Sequence, residues 1–226
     1  MKYSAHTHQL QRIGGWSALI EAGAYLFGFV VLALFLTPDN AADLTATEKL
    51  AFVLDKRLLH QVWMLIIYVV FGVALVPLVT ALHERLRQHD DLRLRFGTLF
   101  GYIWVVLVIA SGMIANLGLD TVARIYPGDP RQATTVWIAL EGVQNGLGGG
   151  VEIVGGLWVL LLSWVGLRTG ELSRFINYLG LLVGLVGILT AIPGLSGLGA
   201  AFGLLQISWF ALIGLRLLRQ PAPKQA

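Results

Sequence analysis

The chain has 226 residues, of which 56% are hydrophobic and only 13% are charged, with a formal net charge of +3. A soluble domain of this size is usually about a quarter charged, so the composition indicates a chain whose excess apolar surface faces lipid. The absence of cysteine excludes disulfides, thiolate metal sites and cysteine nucleophiles.

Six apolar runs are each long enough to span a bilayer, whose hydrocarbon core needs roughly 20 helical residues. They lie at residues 16–36, 61–82, 97–119, 150–167, 175–192 and 199–218. The runs are continuously apolar and do not alternate with polar residues, which favours helices over strands. The sequence therefore predicts an all-α, polytopic membrane helix bundle with about six spans, forming a single domain over residues 1–226.

Two polar segments between the spans are predicted to form helices on the outer surface. In the first, Thr45 and Glu48 have the spacing of a capping box, and leucines and valines recur behind them at helical spacing. This pattern predicts a surface helix over residues 45–58.

The second polar segment follows a turn signal at residues 126–130 and predicts a semi-polar helix over residues 132–146. This helix runs into the glycines at 148–150, where it could break or bend. The pattern leaves open whether residues 132–150 form a surface helix, a re-entrant segment or part of the fourth span.

The distribution of Lys and Arg predicts the orientation. With the N-terminus inside, 11 of the 16 basic residues fall on inner segments. The outer ones are Lys49, Lys56, Arg57, Arg124 and Arg131. Because cytoplasmic loops carry the excess of basic residues, both termini are predicted to be cytoplasmic.

Glycines spaced four apart are typical of close contacts between membrane helices. Such pairs occur at residues 97 and 101, 142 and 146, 180 and 184, and 199 and 203. They predict faces where helices of this chain, or of a partner, approach closely.

An ionisable residue inside a spanning helix costs about 2.5–3.5 kcal/mol on insertion scales and therefore tends to face protein or water. Glu21 lies inside the first span, on one helical face with Ser17, Tyr25 and Gly28. It is interpreted either as a proton or cation carrier, or as a carboxyl group kept neutral or hydrogen-bonded near the cytoplasmic interface.

The most unusual polar stretch precedes the fourth span. Glu141, Asn145, Gly148 and Glu152 are spaced to form one stripe if the chain is helical. If the helix breaks at the glycines, backbone carbonyls lie beside two carboxylates, which is tolerated only next to protein or a water-filled cavity. The alternative is a solvent-exposed outer helix with Glu152 as an interface anchor.

By topology, the end of the third span lies at the same outer level. An outward-facing pocket for a small ligand or ion is therefore predicted. Its candidate residues are Glu152, Glu141, Asn145, Asp120 and Asn116, with Glu21 as a further candidate.

Imidazole and carboxylate groups together could hold a divalent cation, and the candidate metal ligands are His60, Glu152 and Asp120. No spacing motif supports this site, and a lone histidine at a helix start is also an ordinary interfacial residue. His60 and His83 lie at opposite faces of the membrane, which argues against a bis-histidine haem. The usual hydrolase, phosphate-loop and dinucleotide motifs are absent, and no basic-aromatic surface suggests nucleic acid.

Three stretches carry a resemblance to a known family: Leu59-His60-Gln61-Val62-Trp63, the segment 81–86 (Ala-Leu-His-Glu-Arg-Leu), and the segment 147–158 (Leu-Gly-Gly-Gly-Val-Glu-Ile-Val-Gly-Gly-Leu-Trp). With the six-helix plan, the whole chain resembles a family of bacterial integral membrane proteins of unknown function, domain of unknown function 4386. The resemblance implies a multi-pass protein of the bacterial cytoplasmic membrane. It implies no activity and no functional residue.

Three functions remain open at this point. The first is binding of a small ligand or ion in the outer pocket, as in a transporter. The second is a non-catalytic interaction subunit that packs beside another membrane protein, or beside its own copies, through glycine faces. The third is a metal-assisted enzyme acting on a lipid, so catalytic activity itself is undecided.

Overall fold

A computed structural model describes residues 2–87, 91–149 and 152–219, and every regular element within these ranges is helical. The α-helices are α1 (Lys2–Val31), α2 (Ala46–Asp55), α3 (Arg57–Met64), α4 (Phe71–Leu86), α5 (Leu92–Ile125), α6 (Pro130–Gln144), α7 (Ile153–Thr169), α8 (Arg174–Leu189) and α9 (Leu198–Arg219). Three π-helical segments join or extend them: π1 (Leu32–Leu36), π2 (Leu65–Val70) and π3 (Asn145–Gly149).

Within the described ranges, five helices are long and apolar enough to cross a membrane. They are His6–Leu36, Arg57–Leu86, Leu92–Ile125, Pro130–Thr169 and Leu198–Arg219. Large apolar side chains such as Leu34 and Val106, which are 69% and 65% exposed, cover the outside of the bundle. Exposed apolar surface of this extent, together with the five long apolar helices, fits an α-helical bundle that lies in a membrane.

Four of the six apolar runs lie wholly within helical segments, and the fifth, 175–192, extends three residues beyond the end of α8 at Leu189. The predicted start of the fourth run, at Gly150, lies outside the described residues, and the helix that contains its described part begins at Ile153. The fifth run corresponds to α8, which is apolar but has only 16 residues. Most helices extend beyond the apolar runs because hydropathy identifies only the part that lies in hydrocarbon.

The five candidate spans and α8 alternate in direction, which defines two ends of the bundle. The proximal end holds the start of α1 and the end of α9, and the distal end holds α2, α6 and the start of α9. At the proximal end, Gln11 Nε2 donates to the Ala81 carbonyl oxygen at 2.7 Å, and buried Arg85 donates to Gln11 Oε1 at 3.4 Å. These bonds link α1 to α4.

The capping box predicted at the start of α2 is confirmed. The Glu48 amide donates to Thr45 Oγ1, while the Thr45 amide and hydroxyl both donate to the Glu48 carboxylate. These bonds from Thr45 lower the pKa of Glu48, because they favour its charged form. The predicted single helix over 45–58 is instead two, since the backbone turns at Lys56 and α3 starts at Arg57.

Glycines let the helices approach closely. A Cβ placed on Gly156 of α7 would lie 2.8 Å from the Gly184 carbonyl oxygen and 2.8 Å from the Ile188 amide nitrogen of α8. The predicted contacts at Gly97 and Gly101, and at Gly180 and Gly184, are likewise present as tight approaches to neighbouring helices.

Residues 142 and 146 make no close contact with another helix within the described part of the chain. A Cβ on Gly142 or on Gly146 would have no atom of a neighbouring element within 4 Å there. These glycines lie on an exposed face of α6 and π3 rather than between helices.

Aromatic side chains fill the centre of the bundle. Trp104, Trp158 and Trp209 are buried together with Phe202 and Phe210. The rings of Trp158 and Trp209 meet edge to face, with centroids 5.6 Å apart and an interplanar angle of 83°. This packing fills the centre of the bundle with large rings in direct contact.

We expect the substitution Gly156→Ala to destabilise the bundle. The added methyl group meets the backbone of α8, which cannot move aside without separating the helices, so the free energy of unfolding should fall by about 1–3 kcal/mol. Unfolding in mixed detergent and sodium dodecyl sulfate measures this change. Gly23→Ala is the matched control, since its Cβ meets no described neighbour within 4 Å; an equal loss in both variants would contradict the role of this contact.

Candidate functional site

Irregular helical segments converge on the distal half of the bundle. The segments π1, π2 and π3 lie in three different membrane helices, and each contributes residues to the wall of one cavity. The residues that they contribute are Leu32, Ile67, Tyr68, Gly148 and Gly149. Because π segments are rare and occur frequently at functional sites, their convergence makes this cavity the candidate site.

The sharpest irregularity is at Gly148, whose φ of 127° and ψ of 17° interrupt the helix that runs from α6 towards α7. The Ser111 hydroxyl of α5 donates to the Gln144 carbonyl oxygen at 2.9 Å, next to this interruption. The Gln144 side chain donates to the Tyr68 hydroxyl at 3.0 Å. Neighbouring helices therefore supply polar partners where the regular helix ends, as a break at membrane depth requires.

The cavity has a volume of about 380 Å³ and lies between α1, π2, α5, π3 and the start of α9. Six aromatic residues line it. They are Tyr25, Phe29, Trp63, Tyr68, Phe71 and Trp104. The other lining residues are small or aliphatic, apart from Ser196 and Glu152. A cavity of this size and lining matches a site for a small organic molecule.

Glu152 is the single acidic or basic side chain among the described residues that line the cavity. Its amide donates to Thr190 Oγ1 at 2.7 Å, which holds the start of α7 against the end of α8. Its carboxyl group is partly exposed to the cavity and has no hydrogen bond or ion pair with any described residue. It lies close enough to the hydroxyls of Tyr25 and Tyr68 to interact with them electrostatically.

Glu21 is fully buried and does not line the cavity. Neither carboxyl oxygen has a hydrogen-bond partner among the described residues. It lies one helical turn from Tyr25, which does line the cavity. Gln206 of α9 is also fully buried without side-chain partners there, on the helix face that meets Tyr25. Buried polar residues therefore lie on α1, which carries Tyr25, and on α9, which packs against it.

Asp120 and Asn116 belong to a separate polar cluster between α3 and α5. Asp120 accepts from Arg57 at 2.6 Å and from Gln61 at 2.8 Å. Asn116 donates to the Gln61 carbonyl oxygen at 3.0 Å. The predicted grouping of these two residues with Glu152 is not found, because Arg57 and Gln61 of α3 occupy their polar atoms.

The predicted stripe of Glu141, Asn145 and Glu152 is also not formed, because the backbone changes direction at Gly148. Glu141 and Asn145 do not line the cavity, and Asn145 is exposed.

The predicted metal cluster is not assembled either. His60 is buried, and its Nδ1 lies 3.3 Å from the Lys56 carbonyl oxygen. Throughout the described ranges, no three His, Asp or Glu side chains are grouped as metal ligands.

Sequence reasoning identified Glu152 but missed the aromatic wall. In the sequence, Tyr25 shares a helical face with Glu21, and Trp63 ends one of the three stretches that carry the family resemblance, but neither position predicts a cavity. No sequence pattern marks Phe29 or Trp104. They are ordinary residues of apolar spans, and only the packing of three helices brings them together.

Comparison with known proteins yields no relative: no family model, no curated protein and no solved structure matches this chain. The resemblance to the bacterial membrane family therefore stays a prediction. The site is interpreted from its own chemistry alone.

The substitution Gly148→Ala should strain the backbone at the helix break. Holding an L-amino acid at this positive φ costs about 1–3 kcal/mol. We expect the free energy of unfolding to fall by that amount. Gly146→Ala, two residues earlier in an open position without a positive φ, should change it by less than about 0.5 kcal/mol. Detergent unfolding measures both, and equal stabilities would show that the break does not depend on Gly148.

Proposed function

We propose that this chain is a multi-pass protein of the bacterial cytoplasmic membrane that binds a small ligand in its distal cavity, in the manner of a transporter. The observation that carries the proposal is the carboxyl group of Glu152, which has no partner among the described residues and borders an aromatic-lined cavity of about 380 Å³. A partly buried carboxyl group without a protein partner is costly to keep, and a ligand that pairs with it offsets this cost.

A sixth crossing of the membrane by α8 completes the proposed topology. Gly184 and Gly187 of α8 approach Gly156 at the distal part of α7, and Asn177 approaches Gly166 at its proximal part. This antiparallel contact along α7 supports a full crossing, although α8 itself measures only about 24 Å. With six crossings, both termini lie on the same side.

The basic residues support the orientation with that side in the cytoplasm. The distal end carries Lys49, Lys56, Arg57, Arg124 and Arg131, whereas the larger set lies at the proximal end. Because positive residues are retained on the cytoplasmic side, the distal end faces outward. The ligand would then enter from outside.

Two features support transport rather than binding alone: an interrupted helix beside the cavity and buried aromatic rings below it. The fourth candidate span, Pro130–Thr169, is interrupted next to the cavity, and interrupted helices line the substrate sites of many transporters. Below the cavity, Phe71 and Trp104 are only 3% and 2% exposed and close the way towards the proximal end. This arrangement corresponds to a site open to one side only.

The two other functions considered from the sequence, an interaction subunit and a metal-assisted enzyme acting on a lipid, remain predictions. No specific contact among the described residues favours either one.

The absence of cysteine makes the orientation simple to test. Leu58 at the distal end and Leu92 at the proximal end are matched exposed leucines at helix starts, 76% and 58% exposed. A membrane-impermeant maleimide added to intact cells should label Leu58→Cys and should label Leu92→Cys only after permeabilisation. The reverse pattern, or labelling of both in intact cells, would contradict the proposed topology.

Ligand binding in the cavity is tested by thermal unfolding of purified protein with small compounds of positive, neutral and negative charge. We expect at least one compound to raise the unfolding temperature, because a ligand that binds only the folded state stabilises it. Ala200→Phe, which fills the cavity from the start of α9, should abolish that shift, and Glu152→Gln should reduce it for a ligand that contacts the carboxyl group.

Ala191→Phe is the matched control, because Ala191 is exposed at the distal end and does not line the cavity. It should leave the ligand-induced shift intact. The proposed function is wrong if no compound of any charge stabilises the wild type. It is also wrong if every stabilising compound stabilises Ala200→Phe equally well.

A further inference from the structure

We propose that the distal cavity recognises an organic cation, a ligand with an alkylated ammonium group. This inference rests on the proposed ligand-binding function and names the class of ligand. It follows from three features of the cavity: its charge, its aromatic wall and its lack of a metal-ligand set.

The charge of the lining residues determines which sign of ligand charge the cavity favours. Glu152 contributes a carboxyl group that has no partner in the described ranges, and no Lys, Arg or His side chain is among the described lining residues. An anionic ligand would meet a carboxylate and no basic group among the described lining residues. A neutral ligand can donate a hydrogen bond to the carboxylate but leaves its charge uncompensated. A cation compensates that charge, and a paired charge is far less costly in such surroundings than an isolated one.

The aromatic wall selects an alkylated ammonium group. Tyr25, Phe29, Trp63 and Tyr68 remain partly exposed where they line the cavity. The face of an aromatic ring attracts a cation within about 6 Å of its centre, and several such rings around a carboxylate form a cage for alkylated ammonium groups. The methyl groups of such a ligand also bury apolar surface against the rings, which a hydrated inorganic ion cannot do.

Two of these rings are held in place before a ligand arrives. The Trp63 indole N–H donates to the Gly28 carbonyl oxygen at 3.0 Å, and the Tyr68 hydroxyl accepts from Gln144 at 3.0 Å. Because their orientation is already determined, binding requires little ordering of the wall, and this preorganisation favours affinity.

A metal ion is a poorer occupant of the same space. Calcium and magnesium require several oxygen ligands at short distance, and the cavity wall offers one carboxyl group. No group of three potential His, Asp or Glu ligands exists in the described part of the chain. A volume of about 380 Å³ also exceeds what a single ion needs and matches an organic molecule.

The alkylated ammonium group could belong to a free solute or to the headgroup of a lipid. Both share the chemistry that the cavity recognises. The experiment therefore includes choline as the free solute and a short-chain phosphatidylcholine as the headgroup source, in a maltoside detergent that carries no ammonium group itself.

Choline is compared with 3,3-dimethylbutan-1-ol, its neutral isostere, by the concentration dependence of the unfolding temperature. We expect choline or the short-chain lipid to bind on the order of tenfold more tightly than the isostere. Glu152→Gln should remove most of this preference. Glu141→Gln, the same substitution at a glutamate outside the cavity, should retain it. Tyr68→Leu should weaken binding of the cation about threefold to tenfold and should weaken binding of the isostere less.

The outcomes separate this inference from the proposed function. Binding of choline supports a free solute, and binding of the lipid alone supports a headgroup. If the isostere or an anion binds as well as choline and Ala200→Phe abolishes it, the cavity binds a ligand but the cation inference is overturned. A cation preference that is equal in Glu152→Gln and Glu141→Gln overturns it as well. Failure of every compound, whatever its charge, removes the proposed function together with the inference.

Discussion

Backbone hydrogen bonding in hydrocarbon is the constraint on which this structure depends. A helix inside a bilayer satisfies its own amides and carbonyls, and any interruption has to find other partners because no water is present. The chain interrupts one of its spans at Gly148, beside the contact from Ser111 to the Gln144 carbonyl oxygen and the contact from Gln144 to Tyr68. Glu141 precedes the interruption and lies outside the cavity, whereas Glu152 follows it and lines the cavity. The interruption and the candidate site therefore lie side by side.

Close helix packing and the cavity are complementary features of the bundle. Where glycines such as Gly156 and Gly184 face each other, the backbones of α7 and α8 approach to van der Waals contact. Around the distal cavity, large rings from α1, π2 and α5 line a volume that they do not fill. Dense packing below this volume, where Phe71 and Trp104 are nearly inaccessible, confines the cavity to one end.

Two carboxyl groups without partners among the described residues illustrate how surroundings determine a role. Glu21 is sealed between helices, where no ligand reaches it, while Glu152 borders an open volume. Both are costly in a membrane. Only Glu152 has space beside it for a molecule that offsets the cost, which is why the functional proposal is built on this residue.

The amino-acid sequence by itself determined the helical membrane architecture, the approximate positions of the apolar runs, the capping box at Thr45 and Glu48, and the interest of the stretch around Glu152. These properties depend on local composition and spacing, which are visible along the chain. The tertiary structure alone decided that Asp120 pairs with Arg57, that Glu141 lies outside the cavity, and that Tyr25, Trp63 and Tyr68 form its wall. Such contacts join residues far apart in the chain, and they depend on a break at Gly148 whose direction no hydropathy pattern specifies.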